Sequence, residues 1–194
     1  EMEAMVEATL AYLREGRETE EARPADLITV LRTVCDAAAD AGGEVSYDGP
    51  DTLILPLRRV ALRRAFANLV GNAVAHGGGE ARVRLRRGPG RVVVEVADDG
   101  PGVPEAELDR VFEPFHRLEA SRNRATGGVG LGLTIARRAV EAEGGTLRLE
   151  NRPGGGLSAV VVLPCPAAAA PRSAPPRPGA ARWVRFQPSI EGGE

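Results

Sequence analysis

Apolar residues follow two periodicities along this chain, and the switching between them predicts its elements. Met2, Met5, Val6, Leu10 and Leu13 share one face of a helix over residues 1 to about 15. A charged connector from Glu15 to Pro24 follows, containing Glu18, Glu20, Glu21 and Arg23. The next helix opens at Asp26, whose short carboxylate suits an N-cap, carries Leu27, Val30, Leu31 and Val34 at helical spacing, and stops at Gly42 and Gly43. Short strands are predicted at Glu44 to Tyr47 and Thr52 to Leu55. A long helix then runs from about Leu57 to His76, with Leu62, Phe66, Leu69 and Ala73 inward, and ends at Gly77, Gly78 and Gly79.

Residues 81–87 alternate and residues 91–97 run apolar on either side of Gly88-Pro89-Gly90, the pattern of a hairpin. Residues 98–128 hold little regular pattern beyond a helical turn around Glu105 to Phe112, and a loop of that length in a compact domain is usually functional. A helix from about Leu131 to Ala142 precedes a second hairpin, 146–150 and 158–163, turned by Pro153-Gly154-Gly155-Gly156. This mixture predicts an α+β fold. We expect a two-layer α/β sandwich whose mixed sheet packs on about three helices and is solvated on its other face, with an N-terminal helical extension.

From Pro164 onward the composition turns to Pro and Ala, which predicts an extended or disordered tail; Trp183, Val184 and Phe186 add too little apolar surface to fold alone. The net charge of −2 argues against nucleic acid as a partner. Arg82, Arg84, Arg86 and Arg87 alternate with Val83 and Leu85, as on a solvated strand face. Cys35 and Cys165 signal neither a disulfide framework nor a metal knot. With no apolar run of about 18 to 20 residues and no signal peptide, the chain is expected to be soluble. Because it begins at Glu1 inside a helical pattern, it is expected to be a fragment.

Candidate chemistry lies in four stretches. In Asn68-Leu69-Val70-Gly71-Asn72-Ala73, the i, i+4 spacing puts two carboxamides on one helix face, and their oxygens are neutral hard ligands suited to Mg²⁺. The same pair also fits ordinary surface asparagines. In Asp98-Asp99-Gly100-Pro101-Gly102, a carboxylate at the end of a buried strand can accept a hydrogen bond from an exocyclic amine such as that of adenine; a plain turn has the same composition. Gly127-Gly128-Val129-Gly130-Leu131-Gly132-Leu133 feeds a helix N-terminus and offers amide donors to phosphate, or else a hinge. It matches neither a P-loop nor a dinucleotide fingerprint. Between the second and third stretches, Phe112-Glu113-Pro114-Phe115-His116-Arg117, with Arg122 and Arg124, has the aromatics and guanidiniums of a lid over phosphate.

In this order the four stretches resemble the asparagine, first glycine, phenylalanine and second glycine boxes of the histidine-kinase branch of an ATPase superfamily that also contains gyrase, a heat-shock chaperone and mismatch-repair proteins. The similarity runs from about residue 24 to residue 164. It implies a Bergerat-type fold that binds Mg-ATP beneath a lid and phosphorylates a histidine. The implied roles are Mg²⁺ coordination by Asn72 with support from Asn68, and recognition of the adenine amino group by Asp98, with Gly100 and Gly102 lining the base. Gly128, Gly130 and Gly132, with Leu131 and Leu133, would wrap the phosphates; Phe112 and Phe115 would seat the lid, and Arg117 would meet the γ-phosphate. Catalytic roles thus fall to Asn68 and Arg117. In the hydrolysing branches a glutamate usually occupies the position of Asn68, and a carboxamide cannot replace it as a base.

The resemblance also divides the chain into the end of a dimerisation and phosphoacceptor helix (1–16), a linker (17–25), the ATP-binding catalytic domain (26–164) and a tail (165–194). The implied partners are an upstream phosphoacceptor domain of a homodimeric parent and, through it, a response regulator. The implied location is the cytoplasm, with inner-membrane anchoring left to segments outside this chain. One departure is Ala75, followed by His76, where a basic residue often approaches phosphate. It supports the alternative of a nucleotide-sensing regulatory module without phosphotransfer. His76 and His116, the only histidines, lack the acidic context of a phosphoacceptor, so the receiving histidine is expected elsewhere.

Overall fold

The computed structural model describes residues 20–118 and 129–166. In chain order they form β1 (Arg23–Asp26), α1 (Leu27–Asp40), β2 (Glu44–Asp48), β3 (Ile54–Leu57), α2 (Arg59–His76), β4 (Glu80–Gly88), β5 (Arg91–Ala97), short 3₁₀ turns at Glu105–Glu107 and Arg110–Phe112, α3 (Gly132–Ala142), β6 (Thr146–Asn151) and β7 (Leu157–Pro164). The predicted opening helix, Arg122, Arg124, Gly127, Gly128 and the tail from residue 167 lie outside the described residues.

Strand alternation decides the layering. Ala81, Val83 and Leu85 on β4, Val92, Val94 and Val96 on β5, and Ala159, Val161 and Leu163 on β7 are buried on one face. Arg84 and Arg86 project from the other face and pair with Asp48, as a solvated strand face requires. The five-stranded sheet runs β2-β4-β5-β7-β6. Only β2 and β4 pair in parallel, which requires a crossover, and the chain makes it through β3 and α2. Val83 opposes Val96, Leu85 opposes Val94, and Val94 opposes Val161, so rows of branched aliphatics cross the sheet. Leu62, Ala65, Phe66, Leu69, Val70 and Ala73 of α2 are buried in the same core, which α1 and α3 complete. Such rows suit branched side chains because they fill a pleated surface at little rotamer cost. The structure is therefore the α+β sandwich expected, a mixed sheet with three α-helices among the described residues.

Two details were not legible in the pattern. β1 spans the end of the stretch read as a connector and the residue read as a helix cap, and β3 starts two residues later than expected because its register is set by antiparallel pairing with β1, Pro24 opposite Pro56. Asp26 serves two ends: its Oδ1 accepts from Ile28 N at 3.0 Å, capping α1, and from Leu53 N at 2.9 Å. Cys35 packs in the core, where burial, with Asp36 adding to it, pushes its thiol up to about 12; it is a neutral packing residue.

A latch joins the incoming chain to the helices of the site. Arg58 begins α2 without a side-chain cap. The Glu20 carboxylate takes that place, accepting from Val60 N at 3.0 and 3.1 Å and from Ala61 N at 3.1 Å. Arg58 in turn donates to the Glu20 carbonyl at 2.8 Å, to the Ala142 carbonyl at 2.7 Å and, through its backbone, to Glu143 Oε1 at 2.9 Å. Glu20→Ala is expected to lower the unfolding free energy by about 1 kcal/mol, the usual cost of a lost helix cap. A urea midpoint equal to that of the parent chain would show that this contact contributes nothing.

Candidate functional site

The site forms where α2, the loop after β5 and the start of α3 meet. On α2, Asn68 and Asn72 stand one turn apart, half-buried beside the stripe that packs on the sheet. Neither carboxamide has a hydrogen-bond partner among the described residues. Gly132 at the first turn of α3 faces Asn68 so closely that a Cβ there would lie 3.2 Å from the Asn68 Oδ1. No buried side-chain polar atom among the described residues lacks a partner, so these amides reach solvent and are available to a ligand. Neutral oxygen donors of this kind suit Mg²⁺ arriving with phosphate oxygens and water in its shell. Among the described residues no cluster of three His, Cys, Asp or Glu side chains could hold a metal ion.

Asp98 follows β5 directly and is 6% exposed. Its backbone N–H continues the ladder to Leu157 O at 2.9 Å. Its Oδ1 accepts from Gly100 N at 2.8 Å and Leu157 N at 3.2 Å. Its Oδ2 has no such partner, and no fully buried side-chain polar atom among the described residues is unsatisfied, so Oδ2 is the oxygen left open. The carboxylate is thus locked on one side and presented on the other.

The space freed by the missing side chain of Gly100 is filled from within: a Cβ there would lie 2.3 Å from the His76 carbonyl oxygen at the end of α2. Gly102 abuts Asn151, which clamps the loop by accepting from Val103 N at 2.9 Å and donating to Val103 O at 2.7 Å. These two glycines therefore bring the loop against α2 and the β6–β7 hairpin.

Asp99 points the other way and is gripped by arginines. Arg82 makes two bonds to it, each 2.5 Å, and Arg152 a third at 2.6 Å. Hydrogen bonds from Arg82 and then Arg152 hold the Asp99 carboxyl well below the usual carboxylate range. Since the folded value is the depressed one, this clamp contributes fully above about pH 4 and fades as pH falls below it.

Of the phenylalanine segment, Phe112 is a core residue, 7% exposed, with the Arg137 guanidinium 4.9 Å from its ring centroid. The buried Thr134 hydroxyl donates to the Phe112 carbonyl at 2.8 Å. Phe115 is 51% exposed with φ +65°, a strained backbone for a bulky residue, held by its N–H donating to Gly130 O at 2.9 Å. The two phenylalanines expected to seat the lid thus differ: Phe112 is packed in the core and Phe115 is exposed. His116 bonds Glu107 at 2.6 Å, and Arg117 follows half-buried at the edge of the described segment.

After residue 128 the chain re-enters at Val129, and α3 begins at Gly132 with no side-chain cap from Leu131. Its first-turn N–H groups and dipole are open to an anion. Leu131 is buried and Leu133 packs on the core, so their side chains seat the helix while the backbone faces the site. Gly128, read with this group, lies outside the described residues.

The structure thus gathers Asn68, Asn72, Asp98, Gly100 and Gly132 around one region through direct neighbours. Sequence reasoning missed Arg152, Asn151 and Thr134. None has a local signal, since each acts on residues far from it along the chain.

Residues 58–167 match the family described as histidine kinase-, DNA gyrase B-, and HSP90-like ATPase. The chain is 37% identical over 164 residues to the sensor histidine kinase GtrS of Pseudomonas aeruginosa, an alignment covering 84% of this chain and 33% of GtrS. It spans about a third of that relative's length. Its structure is similar to the ATP binding domain of PrrB from Mycobacterium tuberculosis, with a TM-score of 0.63 at 31% identity over 76% of this chain and 99% of that one. It is similar too to full-length ShkA in complex with AMPPNP, with a TM-score of 0.69 at 30% identity over 87% of this chain and 36% of that one. The family match takes in both asparagines, Asp98 and the glycine-led helix, and so this chain belongs to the histidine kinase-, DNA gyrase B-, and HSP90-like ATPase family, alongside the ATP-binding domains of sensor histidine kinases.

Proposed function

We propose that the chain binds Mg-ATP in this site and presents the γ-phosphate to a histidine on a phosphoacceptor domain, as the catalytic part of a two-component sensor kinase. The observation that carries the reading is the convergence of one open carboxylate oxygen on Asp98, the unpartnered amides of Asn68 and Asn72, and the uncapped start of α3. Those groups match an adenine amine, a metal-bound polyphosphate and phosphate oxygens in turn. The likeness to ShkA, solved with AMPPNP, supports the same nucleotide chemistry.

In this reading Asp98 Oδ2 accepts from the exocyclic amine, the backbone at Gly100 and Gly102 lies along the base, and Gly130, Leu131, Gly132 and Leu133 offer amide donors to the phosphates. Asn72, supported by Asn68, holds the metal ion, which when bound neutralises phosphate charge. A ring nitrogen of the acceptor histidine attacks the γ-phosphorus, the bond from that phosphorus to the β,γ-bridging oxygen breaks, ADP leaves, and the attacking imidazole loses its ring proton to solvent. Arg117 stabilises charge on the transferring group, and Asn68 lacks the basicity to activate water, which favours transfer over hydrolysis. The acceptor lies on another segment, because His116 is held by Glu107 and His76 closes α2.

The proposed organisation places a catalytic domain at residues 26–164, entered from a phosphoacceptor helix through the linker at 17–25 and followed by a tail at 165–194. The expected partners are that acceptor domain in a homodimer and a response regulator reached through it, with the domain working on the cytoplasmic side. Mixed with γ-labelled ATP and a cognate phosphoacceptor domain, the chain is expected to yield an acid-labile, base-stable phosphoprotein. ATP binding without any label would replace this reading with a nucleotide-sensing module, the option that Ala75 favours.

A further inference from the structure

Arg152 sits on the turn between β6 and β7, outside every motif so far assigned to nucleotide. One of its guanidinium nitrogens, Nη1, donates both to the Asp98 carbonyl at 2.7 Å and to Asp99 Oδ1 at 2.6 Å. Leu157, where β7 begins after that turn, supplies the N–H that helps fix Asp98 Oδ1. The turn also presses Gly156 against Asp98: with φ +94°, a Cβ there would lie 2.0 Å from the Asp98 carbonyl oxygen. The last paired residues are Ala97 and Ser158, and the Asp98 N–H adds one final bond to Leu157 O at 2.9 Å, which leaves the Asp98 carbonyl and Asp99 beyond the ladder. What holds those groups is Arg152, which bonds both, and Arg82 of β4, which grips Asp99 from the other side.

We propose that Arg152 is a positioning residue for base recognition: by fixing the backbone of Asp98 and Asp99 it aims the free oxygen of Asp98 at the exocyclic amine. The inference rests on the reading of Asp98 as the adenine acceptor. A hydrogen bond that discriminates between bases must be held to a fraction of an ångström, and that precision comes from the residues behind the reader. A guanidinium suits this task because a single nitrogen carries two N–H groups, enough to bond a carbonyl and a carboxylate at once. It also neutralises, together with Arg82, a carboxylate adjacent to the site of a polyanionic ligand.

The test compares affinity for ATP with affinity for inosine triphosphate, which carries a carbonyl where adenine has its amine, by competition against a fluorescent nucleotide on the whole chain. Arg152→Met is expected to weaken ATP by roughly tenfold while leaving inosine triphosphate nearly unchanged, so that discrimination shrinks. Arg152→Lys is expected to restore part of the difference. A variant that keeps the full ATP preference, or loses both nucleotides equally, overturns the proposal. Asp98→Asn runs in parallel: if it erases the preference and Arg152→Met does not, only the positioning role fails. If Asp98→Asn keeps the preference, the adenine reading fails and takes this inference with it. Should Arg152→Met not fold, Asp99→Asn, which keeps the shape and removes the charge both arginines grip, carries the same comparison.

Discussion

Replacing Asn72 by alanine is expected to remove the Mg²⁺-dependent part of ATP binding, a loss of at least about a hundredfold when affinities in Mg²⁺ and in EDTA are compared. The expectation follows from the chemistry of the helix face. Asn72 and Asn68 are the side chains of the motif with uncommitted oxygens, Asp99 is committed to arginines, and the one open oxygen of Asp98 is assigned to the adenine amine. No alternative ligand therefore stands ready to take the metal. Alanine favours helix, so α2 keeps its form and the change reads out binding rather than folding. An Asn72→Ala chain whose ATP affinity still rises on adding Mg²⁺ would remove the metal from this helix.

The second large effect is expected at Asp98. Asp98→Asn preserves size and shape but replaces one carboxylate oxygen with an amino group. If the asparagine keeps its oxygen toward Gly100 N and Leu157 N, its amino group meets the adenine amine, donor against donor. If it flips, the amino group meets two backbone N–H groups in a buried position. Both arrangements lose a charge-assisted hydrogen bond of about 1.5–3 kcal/mol, or roughly ten- to a hundredfold in affinity. The loss should appear with and without Mg²⁺, which separates it from Asn72→Ala. Fluorescent-ATP affinity unchanged in both variants would sink the whole site assignment.

The contrast between these positions and their supports shows why some of the site was legible beforehand. Asn68 and Asn72 announce themselves by helical spacing, Asp98 by its place at the end of an apolar strand, and Gly132 by opening a helix. Each signal lies within a few residues. Arg152 and Asn151 sit in a hairpin whose local chemistry is that of any glycine-rich turn, yet they hold a loop about fifty residues away in the chain. Phe112 and Phe115, both expected to seat a lid, differ in a way their spacing does not show: packing buries one under Arg137 and leaves the other half exposed.

Periodicity alone was enough to locate the helices α1, α2 and α3, both hairpins and the inward face of β4, because burial repeats with the geometry of each element. The motifs that carry chemistry were visible in the same way, as short runs whose spacing is meaningful by itself. The pairing of β1 with β3, the order of the five strands, the Glu20 and Arg58 latch, and the arginine grip on Asp99 belong to the tertiary structure. Each is a contact between residues far apart in sequence, chosen by which surfaces the folded layers bring together, and no local pattern encodes that choice.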